Sequence, residues 1–414
     1  MATDKAAMTH SQLNLREWNT AYEWRAVLLL GLGFGLVGLD RWIIAPLFPA
    51  MMSELHLTYQ DLGNLVGILG IAWGVFSIVM GNLADRYGRR RILIPALLLF
   101  SALSGFTGMA SSLVTLVVIR AVMGAAEGAY LASSVAATSD ASHPRRRGLN
   151  LGLQLSSFAL LGFGIGPIIA TQLMRITQSW RSVFMIVAVP GFILALLMWR
   201  IIREPPHLSQ PARQPVAWGE LFQSRNVIVA MLAILCAMSC IFVLGAMFPS
   251  YLIEYLQLDV PTMGVVTSAL GFGGFIGEFV VPGVSDYIGR RLTAVIAFIG
   301  AALSTWLLMR TGAEPVQLFV LLLIVSFFCL GLLSLFTGAV AAEAVPVALV
   351  SSAVGLISGT GEIFGGGVAP ALAGLVAQRH GIQNVLIISL IGLSIGIVVS
   401  LFLKETAPRK VIGS

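Results

Sequence analysis

Apolar runs alternate with short polar breaks from residue 26 to residue 403, and each run has the about 20 residues that a helix rising about 1.5 Å per residue needs to cross roughly 30 Å of hydrocarbon. The pattern predicts spans over 26–51, 60–81, 91–110, 112–137, 148–173 and 182–201, then 227–256, 261–283, 292–310, 315–341, 348–376 and 383–403. The expected fold class is an all-α membrane protein of twelve transmembrane helices. Around them lie an N-terminal segment over 1–25, a six-helix bundle over 26–201, a central loop over 202–226, a second bundle over 227–403 and a tail over 404–414.

Composition supports this. Hydrophobic residues make up 57% of the 414 and charged residues 11%, against about a quarter charged in a soluble domain. The net charge of +6 would suit nucleic acid, but the basic residues sit in the short breaks rather than along a soluble face. Of the 25 Lys and Arg, nineteen fall on the side that holds both termini, four in the opposite breaks and two inside spans. By the positive-inside rule both termini are expected in the cytoplasm. Cys236, Cys240 and Cys329 lie inside apolar runs, with no disulfide or metal spacing. The first 25 residues lack a short apolar core leading to a small-residue cleavage site, so no cleaved leader is expected.

The chain also repeats itself. The proline-rich stretch around Pro205, Pro206, Pro211 and Pro215 stands at the midpoint. Asp85-Arg86-Tyr87-Gly88-Arg89-Arg90 after the second run is echoed by Asp286-Tyr287-Ile288-Gly289-Arg290-Arg291 after the eighth, 201 positions later. Two parallel halves meeting at a central site form a transporter architecture.

Gly81-Asn82-Leu83-Ala84-Asp85-Arg86-Tyr87-Gly88-Arg89-Arg90-Arg91 resembles the loop signature of the major facilitator superfamily, and the likeness extends over the whole chain. It implies two pseudo-symmetric six-helix bundles. It also implies a gate in which Gly81, Asp85, Arg86, Gly88, Arg89 and Arg90, with Asp286 and Arg290 of the weaker copy, latch the halves on the cytoplasmic side.

Charges within the runs are few: Asp40 and Arg41 in the first, Arg120 and Glu127 in the fourth, Glu278 in the eighth and Glu362 in the eleventh. Each costs about 2.5–3.5 kcal/mol near the bilayer centre on insertion scales, so each needs a partner or a wet cavity. Arg120 and Glu127, seven residues apart, share a helix face. Shifted by 201, the Asp40, Arg41, Arg120 and Glu127 set falls on Ile241, Phe242, Leu321 and Phe328, so the charges are not duplicated. Glu278 is expected to pair with loop arginines as part of the gate. Glu362, among Gly359, Gly361, Gly365, Gly366 and Gly367, reads as a substrate or cation contact, a buried ion pair or a protonated hydrogen-bond donor. Trp73, Tyr130, Phe242 and Phe328 are candidates for the cavity wall.

Gly38-Leu39-Asp40-Arg41, with Arg120-Ala121-Val122-Met123-Gly124-Ala125-Ala126-Glu127-Gly128, resembles the anion:cation symporter branch of that superfamily. The resemblance makes Asp40 and Glu127 proton-coupling groups, Arg120 the partner of Asp40, and Arg41 the group that grips the substrate carboxylate. It implies proton-coupled import of a small organic anion, such as a sugar acid or aromatic acid, by alternating access. Protons are the coupling ion, with no cofactor and no metal. Gly162-Phe163-Gly164-Ile165-Gly166-Pro167 resembles part of an antiporter motif, with Ala170 in place of its last glycine, so a proton-linked exporter of amphipathic drugs or lipids stays open as the alternative. No nucleophile motif, phosphate loop or metal cluster argues for an enzyme. The expected partners are the anion, protons and membrane lipids, with no nucleic acid. The chain is expected to act as a monomer in a bacterial inner membrane.

Overall fold

The computed structural model describes residues 19–144, 146–204, 218–346 and 349–407, without the side chains of 78, 81–86, 218 and 351. Gly81, Asp85 and Arg86 therefore contribute backbone only, and their expected contacts lie outside the described residues.

Among the described residues there are twelve long helices. They are α1 (Thr20–Leu55), α2 (Tyr59–Tyr87), α3 (Arg89–Thr107), α4 (Leu113–Ala141), α5 (Arg147–Thr177) and α6 (Trp180–Ile201), then α7 (Arg225–Tyr255), α8 (Val260–Ile288), α9 (Arg290–Arg310), α10 (Pro315–Ala344), α11 (Ser352–His380) and α12 (Ile382–Ser400). All but α2 are long and apolar enough to cross a membrane by length and composition. Outward-facing residues are apolar, among them Leu28, Val114, Ile176, Trp199 and Ile391. Such a surface suits lipid rather than water. The most enclosed helices are α1 and α7, and α12 is the least.

Two features extend the helices beyond the apolar runs. The Asn19 side chain accepts from the Tyr22 amide at 2.9 Å and caps α1 ahead of residue 26. Glu23, read as part of the polar tail, is instead buried: it accepts from the His143 amide at 3.0 Å, Asn150 at 2.8 Å and Arg146 at 2.7 Å.

The 201-residue repeat is visible in the packing. Gly88 and Gly289, with φ of 98° and 105°, each turn the chain between two helices in a conformation that L side chains rarely adopt. Each turn leaves free helix amides, and a glutamate from the end of its own bundle caps them. Glu204 accepts from the amides of Arg89 and Arg90 at 2.7 and 3.0 Å, and Glu405 from those of Arg290 and Arg291 at 2.8 and 3.2 Å. Arg89 pairs with Asp140, and Arg290 with Glu343 at 2.7 Å and Asp286 at 2.6 Å. Arg90 donates to the Trp199 carbonyl. The loop arginines thus tie each bundle to itself. Among the described residues Glu278 has no ion pair with the loop arginines: it sits half-buried on α8, and Arg290 is engaged by Asp286 and Glu343.

Burial opposes ionisation of Glu405, but the amides of Ala407, Arg290, Arg291 and Thr406 outweigh it and hold the carboxyl below the usual carboxylate range. A lowered folded pKa stabilises above the unfolded value and ceases to do so as pH falls through the folded one. Glu405→Gln is therefore expected to lower the melting temperature at neutral pH, and the gap from wild type to narrow below about pH 4. Thermal unfolding in detergent across pH checks this, and a pH-independent gap would contradict it.

Between the halves, contact is tight from mid-membrane to the face away from the termini, here the far face. A β-carbon at Gly67 or Gly70 of α2 would lie 2.6–2.7 Å from the carbonyls of Gly367 and Gly366 on α11. One at Gly271 of α8 would lie 1.9 Å from the Gly164 amide of α5. Among the described residues, hydrogen bonds join the halves at Arg41 with Glu362, at Gln60 with the Ala371 carbonyl and at Tyr59 with Glu254.

Candidate functional site

Local sequence shapes α1 around the charges. Pro46 has no N–H for the Trp42 carbonyl, and the helix is interrupted at Ile43. Next to that break, Arg120 of α4 donates through Nη1 to the carbonyls of Asp40 at 3.2 Å and Arg41 at 3.3 Å. Arg120 is within electrostatic reach of the Asp40 carboxylate, its expected partner, without a hydrogen bond to it. Asp40 accepts from Ser104 of α3 at 2.8 Å, and Arg120 donates only to its backbone. Arg120 thus braces the bend that presents Arg41.

Arg41, 1% exposed, leaves α1 toward the other half. Its Nη2 donates to Glu362 at 2.9 Å. Its guanidinium carbon lies 4.7 Å from the Phe242 ring centroid, 5.6 Å from Trp42 and 5.7 Å from Trp73. These distances are within cation–π range, so α1, α2 and α7 wall the cation with aromatic faces. Glu362 stands on a π-helical segment of α11, Gly361–Val368, a wider winding often found at functional sites. Of the three alternatives for Glu362, the geometry shows the buried ion pair, and it joins the two halves.

Several polar atoms here are buried without a partner. Arg41 keeps Nε and Nη1 free, Arg120 Nε and Nη2, Trp42 and Trp73 their indole N–H groups, and Glu127 both carboxyl oxygens. Unpartnered buried groups of this kind carry a large desolvation penalty unless a ligand, water or proton satisfies them. Glu127 lies on α4 within the electrostatic reach of Arg41, Asp40, Arg120 and Glu362. Free donors on Arg41 and Arg120 and a free acceptor on Glu127 thus belong to one buried cluster.

Two of the aromatic candidates are elsewhere. Tyr130 is fully buried, donates to the Leu30 carbonyl at 3.1 Å and meets Phe100 edge-on, so its hydroxyl is used up inside the first bundle. Phe328 packs against Gly300 of α9 and Phe327, inside the second bundle. The sequence reading missed Ser104, whose hydroxyl holds Asp40, and the indole of Trp42 beside Arg41. A neighbour in sequence, Trp42 needed only the observation that Pro46 bends the helix there. No pattern on α3 marks Ser104.

Two bundles of six helices, closed around a buried charge cluster at their seam, define a membrane transporter of the two-repeat kind rather than an enzyme. The family model described as Major Facilitator Superfamily matches residues 30–277 and 230–413, and the chain belongs to that superfamily. It is 27% identical to a hexuronate transporter of Bacillus subtilis strain 168, over 64% of this chain and 65% of that one. It is 28% identical to a 3-(3-hydroxy-phenyl)propionate transporter of Escherichia coli strain K12, over 69% and 72% respectively. Among solved structures, a bacterial homologue of the human lysosomal transporter Spinster, inward-facing and unoccupied, superposes with a TM-score of 0.69 over 93% of this chain and 95% of that one, at 16% identity.

Proposed function

We propose that this transporter imports a small organic anion, a sugar acid or aromatic acid, together with protons, by alternating access of its two halves across a bacterial inner membrane with both termini in the cytoplasm. The observation that carries the reading is Arg41: a buried guanidinium midway along α1, at the seam of the halves, with two of its nitrogens free and aromatic faces around it. A planar fork of donors suits a carboxylate, which it grips at two points. The hexuronate and hydroxyphenylpropionate named for two relatives are both carboxylates.

In the proposed cycle Arg41 holds the carboxylate while Asp40 and Glu127 take up protons, and Arg120 keeps the α1 bend in place. Neutralising the acids lowers the charge that the closing halves must bury. Each charge moved inward also gains about 2.3 kcal/mol per 100 mV of membrane potential, which favours importing more protons than substrate charges.

Proteoliposomes with an imposed pH gradient test the reading. Labelled glucuronate or phenylpropionate is expected to accumulate up to about tenfold per pH unit for each coupled proton. Expulsion of a cationic dye with no acid accumulated would overturn it in favour of the drug or lipid exporter.

A further inference from the structure

Glu362 stands where a free carboxylate would stand. We infer that Glu362 is a tethered stand-in for the substrate: an incoming organic carboxylate displaces it from Arg41, and the exchange undoes the ion pair that ties the halves together at mid-membrane. This rests on the organic-anion reading above.

The geometry of the guanidinium carries it. A carboxylate can take two N–H groups at once along the Nη1/Nη2 edge or along the Nε/Nη2 edge. Both edges include Nη2, the nitrogen that Glu362 holds at 2.9 Å. Nε and Nη1 are the two left free. A second carboxylate bound along the other edge would lie a few ångström from Glu362 in a nearly dry site, where like charges repel. Bound anion and bound Glu362 therefore exclude each other.

Among the described residues Glu362 is ion-paired with Arg41 alone. The α2 helix presents Gly74 to it and α7 presents the Phe242 ring beside Gly366, none of them charged. The α1 helix supplies Arg41, and the other ionisable groups of the cluster are Glu127 and Arg120 of α4 and Asp40 of α1. Arg120 gives Nη1 to two carbonyls, and its Nε and Nη2 meet no hydrogen-bond partner, Glu362 included. A β-carbon at Gly366 would come within 2.9 Å of the Glu362 carboxyl and 2.7 Å of Phe242, so bare backbone leaves the room in which this side chain sits. Once displaced, Glu362 has lost its counter-ion in a low-dielectric setting, and it takes up a proton. Anion binding thus draws a proton and tightens as pH falls, when the competing carboxylate is neutralised. It weakens as pH rises and Glu362 regains Arg41.

The test measures the affinity of purified full-length protein for glucuronate and phenylpropionate across about pH 5–8. A latch that holds Arg41 in nine of ten molecules weakens apparent affinity about tenfold. Glu362→Gln is therefore expected to bind the acids about tenfold more tightly at neutral pH, and to lose about one proton from the slope of log Kd against pH. Glu362→Asp is expected to keep that slope. Weaker binding by Glu362→Gln, or an unaltered slope, overturns the inference.

A second readout stands apart from the substrate. Spin labels on Ser111→Cys and Glu314→Cys, exposed far-face positions in opposite halves, report the separation of the halves, and the native cysteines are buried. Without acid, Glu362→Gln is expected to move the distance distribution toward separated halves. If wild type binds neither acid, the organic-anion reading fails, and an unmoved distribution would then remove the latch as well.

Discussion

Arg41→Ala is expected to abolish uptake of the acid, with binding weakened about 100-fold or more, because truncating one partner of a buried, hydrogen-bonded charge pair costs about 2–5 kcal/mol. Two losses add at this position. The substrate loses its fork of donors, and Glu362 is left as a buried acid without the cation it holds at 2.9 Å. Arg41→Lys separates them. A lysine keeps a positive charge for Glu362 but offers a compact ammonium in place of a planar fork, and it stacks less well on Phe242, Trp42 and Trp73. Binding by the lysine variant is therefore expected to fall about tenfold, between wild type and alanine. Isothermal titration with the labelled acids checks the order. Wild-type affinity in both variants would remove Arg41 from the binding site.

The halves, the helices and the charge inventory were legible because the bilayer admits few solutions. With no water to satisfy a backbone in hydrocarbon, the spans must be helices of nearly fixed length, and the apolar runs mark them. Every charge in such a run stands out. Which charges meet was not legible in the same way. Arg41 and Glu362 are 321 residues apart, and their encounter depends on how closely α2 and α11 pack through Gly70 and Gly366. Spacing along one helix says nothing about that. The role of Arg120 turned on two carbonyls beside a bend, and no side-chain pattern encodes a carbonyl. Tyr130 and Phe328 show the converse: one three residues from Glu127, the other its counterpart in the repeat, both turned inward where their own bundle offered a carbonyl or a glycine to pack on.

The capping glutamates could have been found. A shift by 201 residues carries Gly88 to Gly289 and also Glu204 to Glu405, each just past the last helix of its bundle. Where both copies carry the same chemistry, as at these turns, the contact holds a bundle together. Where only one copy carries it, as with Asp40, Arg41, Arg120 and Glu127, the asymmetry marks the central site. Glu362 is the exception, an acid of the second half that completes a pair begun in the first.

That asymmetry makes Glu127 the sharpest test of coupling. Both of its carboxyl oxygens are enclosed without a hydrogen-bond donor, although Arg41, Arg120 and Asp40 are all within electrostatic reach. Charged, it must be held by those arginines; neutral, it costs far less to leave enclosed, so its charge state and the loading of Arg41 are tied together. Glu127→Gln fixes the neutral form at almost the same volume. Gradient-driven accumulation is expected to fall to equilibration, an inside-to-outside ratio of about 1, where wild type gains up to about tenfold per pH unit for each coupled proton. Exchange of labelled for unlabelled acid across the membrane needs no net proton movement and is expected to survive. Measuring both in the same proteoliposomes separates coupling from binding. Full concentrative uptake by Glu127→Gln would reject Glu127 as the coupling site, and loss of exchange along with accumulation would recast it as a residue that shapes the anion site itself.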